Sequence, residues 1–325
     1  MVIWALRCGW RRLCPKILEP APFRSDLADA PEPAKALWRT TTDAVRVRIV
    51  LWPLEGATGT VLIFPGRTEF AEKYGHIARH FHAAGLAVVT IDWRGQGLSD
   101  RLAHDALLGH VLSFPDYQRD VAEMLFAAAE MDLPKPWRLV AHSMGGAIGL
   151  RALIEGLPVD RAVFSAPMWG IAVPAHKRPM AFVLPTLARH LGRHLNYVPG
   201  TGPDAYVSEA DFRTNMLTHD AAHFEYLGRM AAEEPRFALG GPSLHWFDEA
   251  VRECRSLAAM PRPTLPVQTF VGTDESIVSV AAIRNMHAAW PSGSLKVLEG
   301  ARHELMMEAE PWRSDFLDPA TSFLT

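Results

Sequence analysis

Short apolar runs alternate with amphipathic segments along most of the chain. The runs predict strands, and the segments between them repeat apolar residues at three- and four-residue steps, as helices do. The predicted strands cover 45–52, 60–64, 86–91, 137–142, 161–165, 265–271 and 295–298, and the predicted helices cover 71–84, 117–130, 144–155, 279–289 and about 309–323. Strands that alternate with helices predict the α/β class, with a mostly parallel, twisted sheet and helices on both faces.

One strand differs from the others in its pattern. Residues 45–52 alternate apolar and polar side chains at first, which favours an edge strand, whereas 60–64 is a continuous apolar run typical of a buried strand.

The alternation stops after Pro167 and returns near Pro263. The intervening residues lack strand patterns but contain helix-like pieces, and a connection this long in a compact domain is usually functional. We therefore predict one core with an insertion. The predicted parts are an N-terminal extension, partly disordered, at 1–34, a core at 35–167 and 259–325, and a helical cap at 168–258.

Composition limits the function. The chain has 325 residues, 49% of them hydrophobic, and 33 basic residues are nearly balanced by 36 acidic ones. No long basic run is present, which argues against nucleic-acid binding. The three cysteines are odd in number and widely spaced, which favours a reducing cytoplasm.

The first eighteen residues are apolar and then basic, the opposite order to a secretory signal. No apolar run in the sequence approaches the length of a membrane-spanning helix. Two interpretations stay open. The segment is an extension outside the fold, such as a misassigned start would produce, or it is a weak membrane-surface anchor that uses Trp4, Trp10 and the arginines. We expect a cytoplasmic protein, with transient contact to a membrane surface as the alternative.

Ser143 lies between a predicted strand and a predicted helix, in the sequence Ala141-His142-Ser143-Met144-Gly145. This is the arrangement of a nucleophile elbow, a sharp turn that exposes the serine oxygen and requires small neighbours. Ala141 stands where glycine is usual. The alternative is a glycine-rich helix start with a capping serine.

A serine hydroxyl needs a base to become a nucleophile. Asp274 follows the strand 265–271, and His303 follows the strand 295–298, so both are expected at the carboxyl edge of the sheet. The order Ser, Asp, His is that of α/β-hydrolases. We assign His303 as the base and Asp274 as its orienting acid. Glu275, the next residue, is the competing acid.

The reaction intermediate needs two amide donors for its oxyanion. We assign these to Met144, which follows the nucleophile, and Arg67, which follows the turn Pro65-Gly66. An ordinary turn at Pro65-Gly66 is the alternative. No His-Glu-x-x-His or paired-cysteine motif is present, so we expect neither a metal nor a cofactor.

Several motifs together resemble one family. They are Gly66-Arg67-Thr68-Glu69, Asp92-x-Arg94-Gly95-x-Gly97-x-Ser99, His142-Ser143-Met144-Gly145-Gly146, Gly272-x-Asp274 and Ala301-x-His303-Glu304. The chain resembles the serine-aminopeptidase-like branch of α/β-hydrolases, which contains monoacylglycerol lipases and bacterial lysophospholipases. The resemblance spans about residues 35–325 and implies the α/β-hydrolase fold with a cap over the active site.

Within that branch, the pattern around Glu69, Lys73 and Tyr74 is more similar to the lysophospholipases. Pro65 and Gln96 stand where many members have histidine. The resemblance implies a serine hydrolase of lipid carboxylic esters, a lysophospholipase, that acts on a small-molecule lipid ester. Alternatives are a monoacylglycerol lipase, a small-ester carboxylesterase, or a non-catalytic binding protein of the same fold. The sequence leaves the oligomeric state undetermined.

The predicted cap contains an amphipathic helix. Its apolar side carries Leu187 and its neighbours at helical spacing, and Arg189 and Arg193 lie mostly elsewhere on it. One interpretation is an apolar face over the site for an acyl chain, with a basic rim for a phosphate headgroup or an anionic bilayer. The other is a helix that packs on the core and solvates its polar face.

Overall fold

A single mixed sheet of nine strands organises the protein in the computed structural model, which describes residues 19–174, 176 and 178–325. The strands are β1 Glu19–Pro20, β2 Lys35–Thr40, β3 Arg46–Trp52, β4 Thr60–Phe64, β5 Ala87–Asp92, β6 Trp137–His142, β7 Ala162–Ser165, β8 Val267–Gly272 and β9 Gly293–Leu298. Their spatial order is β1-β2-β3-β5-β4-β6-β7-β8-β9. Strands β1, β2 and β3 are antiparallel to their neighbours, and the six strands from β5 to β9 in that order are parallel.

Both faces of the central sheet are buried, as the continuous apolar runs predicted. Strand β4 illustrates the reason, because its side chains alternate between two separate hydrophobic cores. Leu62 and Phe64 belong to one core, and Val61 and Ile63 belong to the other.

Helices cover both faces and form most of the remaining regular structure. They are α1 Ser25–Ala28, α2 Gly75–Ala83, α3 Tyr117–Glu130, α4 Met144–Ile154, α5 Arg178–His190, α6 Tyr206–Glu209, α7 Ala221–Glu233, α8 Leu244–Ala259, α9 Val280–Ala288 and α10 Trp312–Leu324. Helices α3, α4, α8 and α9 contribute to the first core, and α2 and α10 contribute to the second. Among the described residues, no helix combines the length and apolarity needed to cross a bilayer.

The N-terminal boundary predicted at residue 34 is wrong. Strand β1 pairs with β2, the Arg24 amide donates to Glu72 Oε1 at 3.1 Å, and Ala28 is fully buried. The contact is close enough that a methyl group on Gly75 would lie 1.7 Å from the carbonyl oxygen of Ala28. Residues 19–34 are therefore part of the core, and the predicted extension at 1–18 lies outside the described residues.

The same segment corrects the prediction of an edge strand at 45–52. Strand β2 pairs with β3 along its whole length, from Lys35 opposite Leu51 to Thr40 opposite Arg46. The polar positions of β3 that suggested solvent are instead held by partners. The Arg48 guanidinium is fully buried between Glu72 and Asp92.

Between β7 and β8 the described residues contain helices and isolated bridges but no strand, and the division into core and insertion stays a prediction. Its predicted end at residue 258 is too late, because the buried side chains of α8 belong to the main core. These are Trp246, Ala250, Cys254 and Leu257. Helix α8 is also tied to α4 by the Arg151–Glu253 ion pair, 2.5 Å long.

Candidate functional site

Ser143 occupies a sharp turn between β6 and α4. Its φ of 50° and ψ of -118° lie in a region that non-glycine residues rarely adopt. The turn is held by hydrogen bonds, since the Ser143 amide donates to the Ser165 carbonyl at 3.1 Å and the Met168 amide donates to the Ser143 carbonyl at 2.8 Å. The predicted nucleophile elbow is therefore the local geometry of the chain.

Packing explains the small residues around this turn. A methyl group on Gly145 would lie 2.1 Å from the Phe64 carbonyl oxygen, and one on Gly146 would lie 2.5 Å from Pro167 Cβ. Ala141 is tolerated in place of glycine because the helix that follows presents Gly149 to it. A methyl group on Gly149 would lie 3.2 Å from Ala141 Cβ.

His303 joins the nucleophile to an acid. Its Nε2 lies 2.9 Å from Ser143 Oγ, and its Nδ1 lies 2.6 Å from Glu275 Oε2. If Nδ1 donates to the carboxylate, Nε2 is left free to accept the serine proton. The structure thus brings together two of the three predicted triad residues, Ser143 and His303.

The prediction that Asp274 is the acid of the triad is wrong. Asp274 is exposed, and the carboxylate that contacts His303 is that of Glu275, whose side chain is fully buried. Glu275 Oε1 also accepts the amides of Ile277 at 2.6 Å and Val278 at 3.0 Å. The two carboxylates are adjacent in the loop after β8, so the sequence offered both without deciding which one faces the histidine.

Glu275 is held in its charged form. Burial alone would raise the pKa of its carboxyl group, but the charge and hydrogen bond of His303 and the two backbone amides outweigh burial and lower the pKa below its usual range. An ionised Glu275 can fix the orientation of the imidazole and stabilise the imidazolium.

Arg67 and Met144, the predicted oxyanion donors, lie close to the nucleophile. Arg67 lines the same cavity as Ser143 and His303. Met144 is the first residue of α4, where backbone N–H groups have no intrahelical partner. The contact between Gly145 and Phe64 brings the start of α4 against the loop that contains Arg67. This arrangement is compatible with the assignment, which remains a prediction.

Sequence reasoning missed a buried ionic cluster beside the triad, formed by Glu69, Lys73, His142 and Glu304. The Lys73 ammonium contacts the Glu69 carboxylate and lies 2.8 Å from Glu304 Oε1. His142 Nε2 is 3.4 Å from Glu304 Oε2, and the His142 and His303 rings are 4.8 Å apart. The Glu69 and Lys73 positions were visible as a motif, but their meeting with Glu304, more than 230 residues away, was not.

The charges in this cluster stabilise one another. Burial would lower the pKa of Lys73 and of His142, yet the carboxylates of Glu304 and Glu69 raise both above their usual values. Burial would raise the pKa of Glu304, but Lys73 and His142 hold it well below its usual range. The cluster therefore carries opposite charges in a buried place where an unpaired charge would be costly.

Glu69, His142 and Glu304 also have the residue types of a metal site, with ligand atoms within 4.8 Å of one another. The Lys73 ammonium contacts both carboxylates. A divalent cation would have to bind next to this positive charge, which electrostatic repulsion disfavours. The cluster fits an internal ion network better than a metal site.

Glu69 also fixes the loop that contains Arg67. Its Oε2 accepts the Gly66 amide and, at 2.5 Å, the Tyr74 hydroxyl. From the other side, Gln96 Nε2 donates to the carbonyls of Gly66 at 2.8 Å and Glu69 at 2.9 Å. Glu69 and Gln96 thus hold the loop in one conformation, which includes a φ of 67° at Thr68.

The cavity above Ser143 has a volume of about 220 Å³. Its polar end contains the triad and the ionic cluster, and its remaining wall is mainly apolar. That wall comes from the predicted cap, through Val207, Met216, Leu217, Leu227, Phe237 and Leu239 among others.

The prediction that the apolar face of α5 lines an acyl site is also wrong. Leu187 and Leu191 are 51% and 61% exposed, and neither lines the cavity. The inner side of α5 is instead occupied by Ala188, 4% exposed. Arg189, predicted to form a basic rim, pairs with Asp248 at 2.6 Å and is not part of the cavity wall. Periodicity identified the apolar face of the helix but not the direction in which it points.

Comparison with known proteins identifies relatives of the chain. The family model described as serine aminopeptidase, S33, matches residues 55–310. The chain is 32% identical to lysophospholipase L2 of Escherichia coli (strain K12) over 300 residues, which cover 87% of this chain and 85% of the relative. It is 28% identical to a monoacylglycerol lipase of Mycolicibacterium smegmatis, over 86% of this chain and 93% of the relative.

Solved structures show the same fold. A soluble variant of monoglyceride lipase from Saccharomyces cerevisiae superposes with a TM-score of 0.68 at 20% identity, covering 88% of this chain and 93% of that one. A carboxyl esterase from Bacillus coagulans gives a TM-score of 0.70 at 14% identity, covering 90% and 98%. The fold is that of α/β-hydrolases.

The first prediction concerns the acid. Glu275→Gln should lower kcat by about ten-thousandfold, because a neutral amide cannot hold the required imidazole tautomer or stabilise the imidazolium. Asp274→Asn, the neighbouring control, should change kcat by less than about threefold, as expected of an exposed side chain. Steady-state hydrolysis of an aryl ester measures both. A larger loss in the Asp274 variant would restore the original assignment.

The second prediction concerns Glu69. Glu69→Gln should lower kcat by about a hundredfold with little change in KM, because one amide oxygen cannot replace two carboxylate oxygens in holding the Gly66 amide and the Lys73 ammonium. Glu123→Gln is the matched control, since Glu123 is also buried and paired with an arginine, Arg39, at 3.2 Å. It should lower the melting temperature but leave kcat within about threefold. Equal kcat losses in the two variants would reduce Glu69 to a stabilising residue.

Proposed function

The chain belongs to the serine aminopeptidase S33 family of α/β-hydrolases, and from this premise we propose that it removes the acyl chain of lysophospholipids through an acyl-serine intermediate. It is a carboxylic ester hydrolase that acts on lipid esters. The observation that carries the proposal is the hydrogen-bonded chain from Ser143 through His303 to Glu275 at the floor of a mainly apolar cavity. The identity to lysophospholipase L2 supports the headgroup class.

The proposed reaction follows from the geometry. His303 Nε2, 2.9 Å from Ser143 Oγ, takes the hydroxyl proton while the oxygen attacks the ester carbonyl. The amides of Arg67 and Met144 stabilise the oxyanion. His303 then gives its proton to the departing glycerol oxygen, which leaves the acyl group on Ser143. Water repeats the sequence and releases the fatty acid.

The acyl chain is accommodated by the apolar wall contributed by the insertion between β7 and β8. Leu227 on α7, and Phe237 and Leu239 after it, line this wall and are themselves nearly buried. Each methylene that enters such a site contributes about 0.8 kcal/mol. We infer that residues of the cap, rather than of the core sheet, set the chain-length preference.

The third prediction is a substrate panel. Lysophospholipids should be hydrolysed with a higher kcat/KM than monoacylglycerols of the same acyl chain, and short-chain aryl esters more slowly than either, because they bury less apolar surface. Ser143→Ala should abolish all three activities, with a loss of about a million-fold in kcat, and should block labelling by a fluorophosphonate. Preference for monoacylglycerol would transfer the proposal to the monoacylglycerol lipase alternative. A wild-type chain that is neither labelled nor active would indicate a binding protein.

We further propose that the enzyme meets lipid aggregates through the exposed face of α5 and the turn after it. This outer stripe consists of Val183, Leu187, Leu191 and Leu195, which are 64%, 51%, 61% and 42% exposed. Val183 and Leu187 are four apart on α5 and share one side of it, whereas Leu191 and Leu195 lie in the segment that follows the helix, where Arg193 is also exposed. Apolar side chains next to a cation suit an anionic lipid surface.

The fourth prediction tests this outer stripe. The double variant Leu187→Ser/Leu191→Ser should bind phosphatidylglycerol vesicles at least tenfold more weakly in a flotation assay, because about 1.5 kcal/mol of apolar transfer is lost. Hydrolysis of a water-soluble aryl ester should stay within about twofold of wild type, since neither leucine lines the cavity. Unchanged vesicle binding would contradict the proposed contact. A shift from dimer to monomer in the variant would instead assign the stripe to self-association.

A further inference from the structure

The Arg67 side chain is an enclosed cation between the loop after β4 and the cap. Its Nη2 donates to the Gly240 carbonyl at 2.6 Å, and its Cζ lies 5.3 Å from the centroid of the Trp246 ring. The packing is close on the core side, where a methyl group on Gly109 would lie 2.2 Å from Nη2. The guanidinium therefore has a defined position rather than a mobile one.

Unlike the arginines of the main ion pairs, Arg67 has no anionic partner in the described part of the chain. No carboxylate of the described residues lies within 4.0 Å of its guanidinium, and its Nε is buried without a hydrogen-bond partner. Burial lowers the pKa of Arg67 to about 10, so it remains protonated at neutral pH. By contrast, carboxylates pair with each of Arg39, Arg48, Arg94 and Arg151.

A buried charge without a counter-charge is costly, and the cost falls when an anion binds. Arg67 lines the cavity that contains Ser143 and His303, so an anion bound in that cavity would lie beside this residue. The guanidinium plane is suited to phosphate because it offers paired donors in a fixed geometry.

The position of Arg67 in the chain adds a stereochemical argument. Its backbone amide is the assigned oxyanion donor, so its side chain begins next to the place assigned to the ester carbonyl. In a lysophospholipid the phosphate is joined to the scissile ester through the glycerol carbons, so it too lies near that carbonyl. A monoacylglycerol has only uncharged hydroxyl groups at that position.

We propose that the Arg67 guanidinium binds the phosphate of the lysophospholipid headgroup and so selects phosphorylated glycerol esters over neutral ones. The inference rests on the proposed function and assigns its headgroup site. It replaces Arg189 and Arg193, neither of which lines the cavity, as the residues that recognise the phosphate.

The test compares two substrates with the same acyl chain, a lysophosphatidylcholine and a monoacylglycerol, below their aggregation concentrations. Arg67→Gln should lower the ratio of their kcat/KM values by about tenfold to a hundredfold, the loss expected for hydrogen bonds to a charged group. Arg67→Lys, which keeps the charge but not the paired donors, should give an intermediate ratio. Arg189→Gln is the control and should leave the ratio unchanged, because Arg189 is engaged with Asp248 outside the cavity.

A second arm uses hydrolysis of a soluble aryl ester and needs no lipid activity. Glycerophosphocholine should inhibit the wild-type enzyme more strongly than glycerol does, and this difference should disappear in Arg67→Gln. Inhibition by inorganic phosphate but not by glycerophosphocholine would assign the site to free phosphate and overturn the headgroup role. If Arg67→Gln does not fold, as judged by its thermal melt, the competition with the wild-type enzyme decides alone. Equal inhibition by glycerophosphocholine and glycerol then overturns the proposal.

If Arg67→Gln lowers kcat/KM equally for both lipids, so that their ratio is unchanged, the proposal is also overturned. Arg67 would then have only a structural role, through its hydrogen bond to the Gly240 carbonyl. Failure of the proposed function gives a different result. In that case the wild-type enzyme hydrolyses the aryl ester but neither lipid, while the competition arm still reports whether Arg67 binds phosphate.

Discussion

Lys73 places a buried ammonium between two carboxylates, and the geometry of the active site depends on that arrangement. One carboxylate, Glu69, holds the loop that contains the assigned oxyanion donor, and the other, Glu304, follows His303 directly. His142, the residue before the nucleophile, lies against the same cluster. Loss of one charge would leave its partners buried and uncompensated, which costs about 3–5 kcal/mol. A single ion network thus couples three segments that must keep their relative positions during catalysis.

The nucleophile turn is the second constraint, and it is one of backbone conformation. The φ of 50° at Ser143 is unfavourable for a residue with a side chain, by about 1–3 kcal/mol. Packing keeps it there, because Gly145 and Gly146 allow α4 to approach Phe64 and Pro167 more closely than any larger residue would. This strained conformation presents the serine oxygen to His303, so the tight packing of the elbow positions the nucleophile next to its base.

The insertion has two apolar surfaces, one that faces the cavity and one that faces solvent. Its inner residues, such as Leu227 and Phe237, line the cavity above the triad. Its outer residues, including Leu187 and Leu191, are exposed to solvent. An enzyme of lipid esters has to extract a substrate from an aggregate and then enclose its acyl chain. An apolar outer face and an apolar inner wall on one insertion are suited to those two steps.

The sequence by itself determined the features that depend on neighbours along the chain. Apolar runs and helical periodicity identified the parallel core, and the strand–turn–helix context identified Ser143, because an elbow is a local structure. The position of His303 after a strand was also local, since parallel strands end at one edge of the sheet.

Only the tertiary structure decided the features that depend on direction and on distant contacts. Asp274 and Glu275 are adjacent carboxylates, and the path of the loop after β8 determines that Glu275 faces His303. The apolar face of α5 points outward because the rest of the insertion encloses the cavity. Residues 19–34 join the core because β1 meets β2 and Ala28 meets Gly75. Lys73 and Glu304 meet across most of the chain. A sequence pattern specifies which side chains are apolar or charged, whereas packing in three dimensions determines what each one contacts.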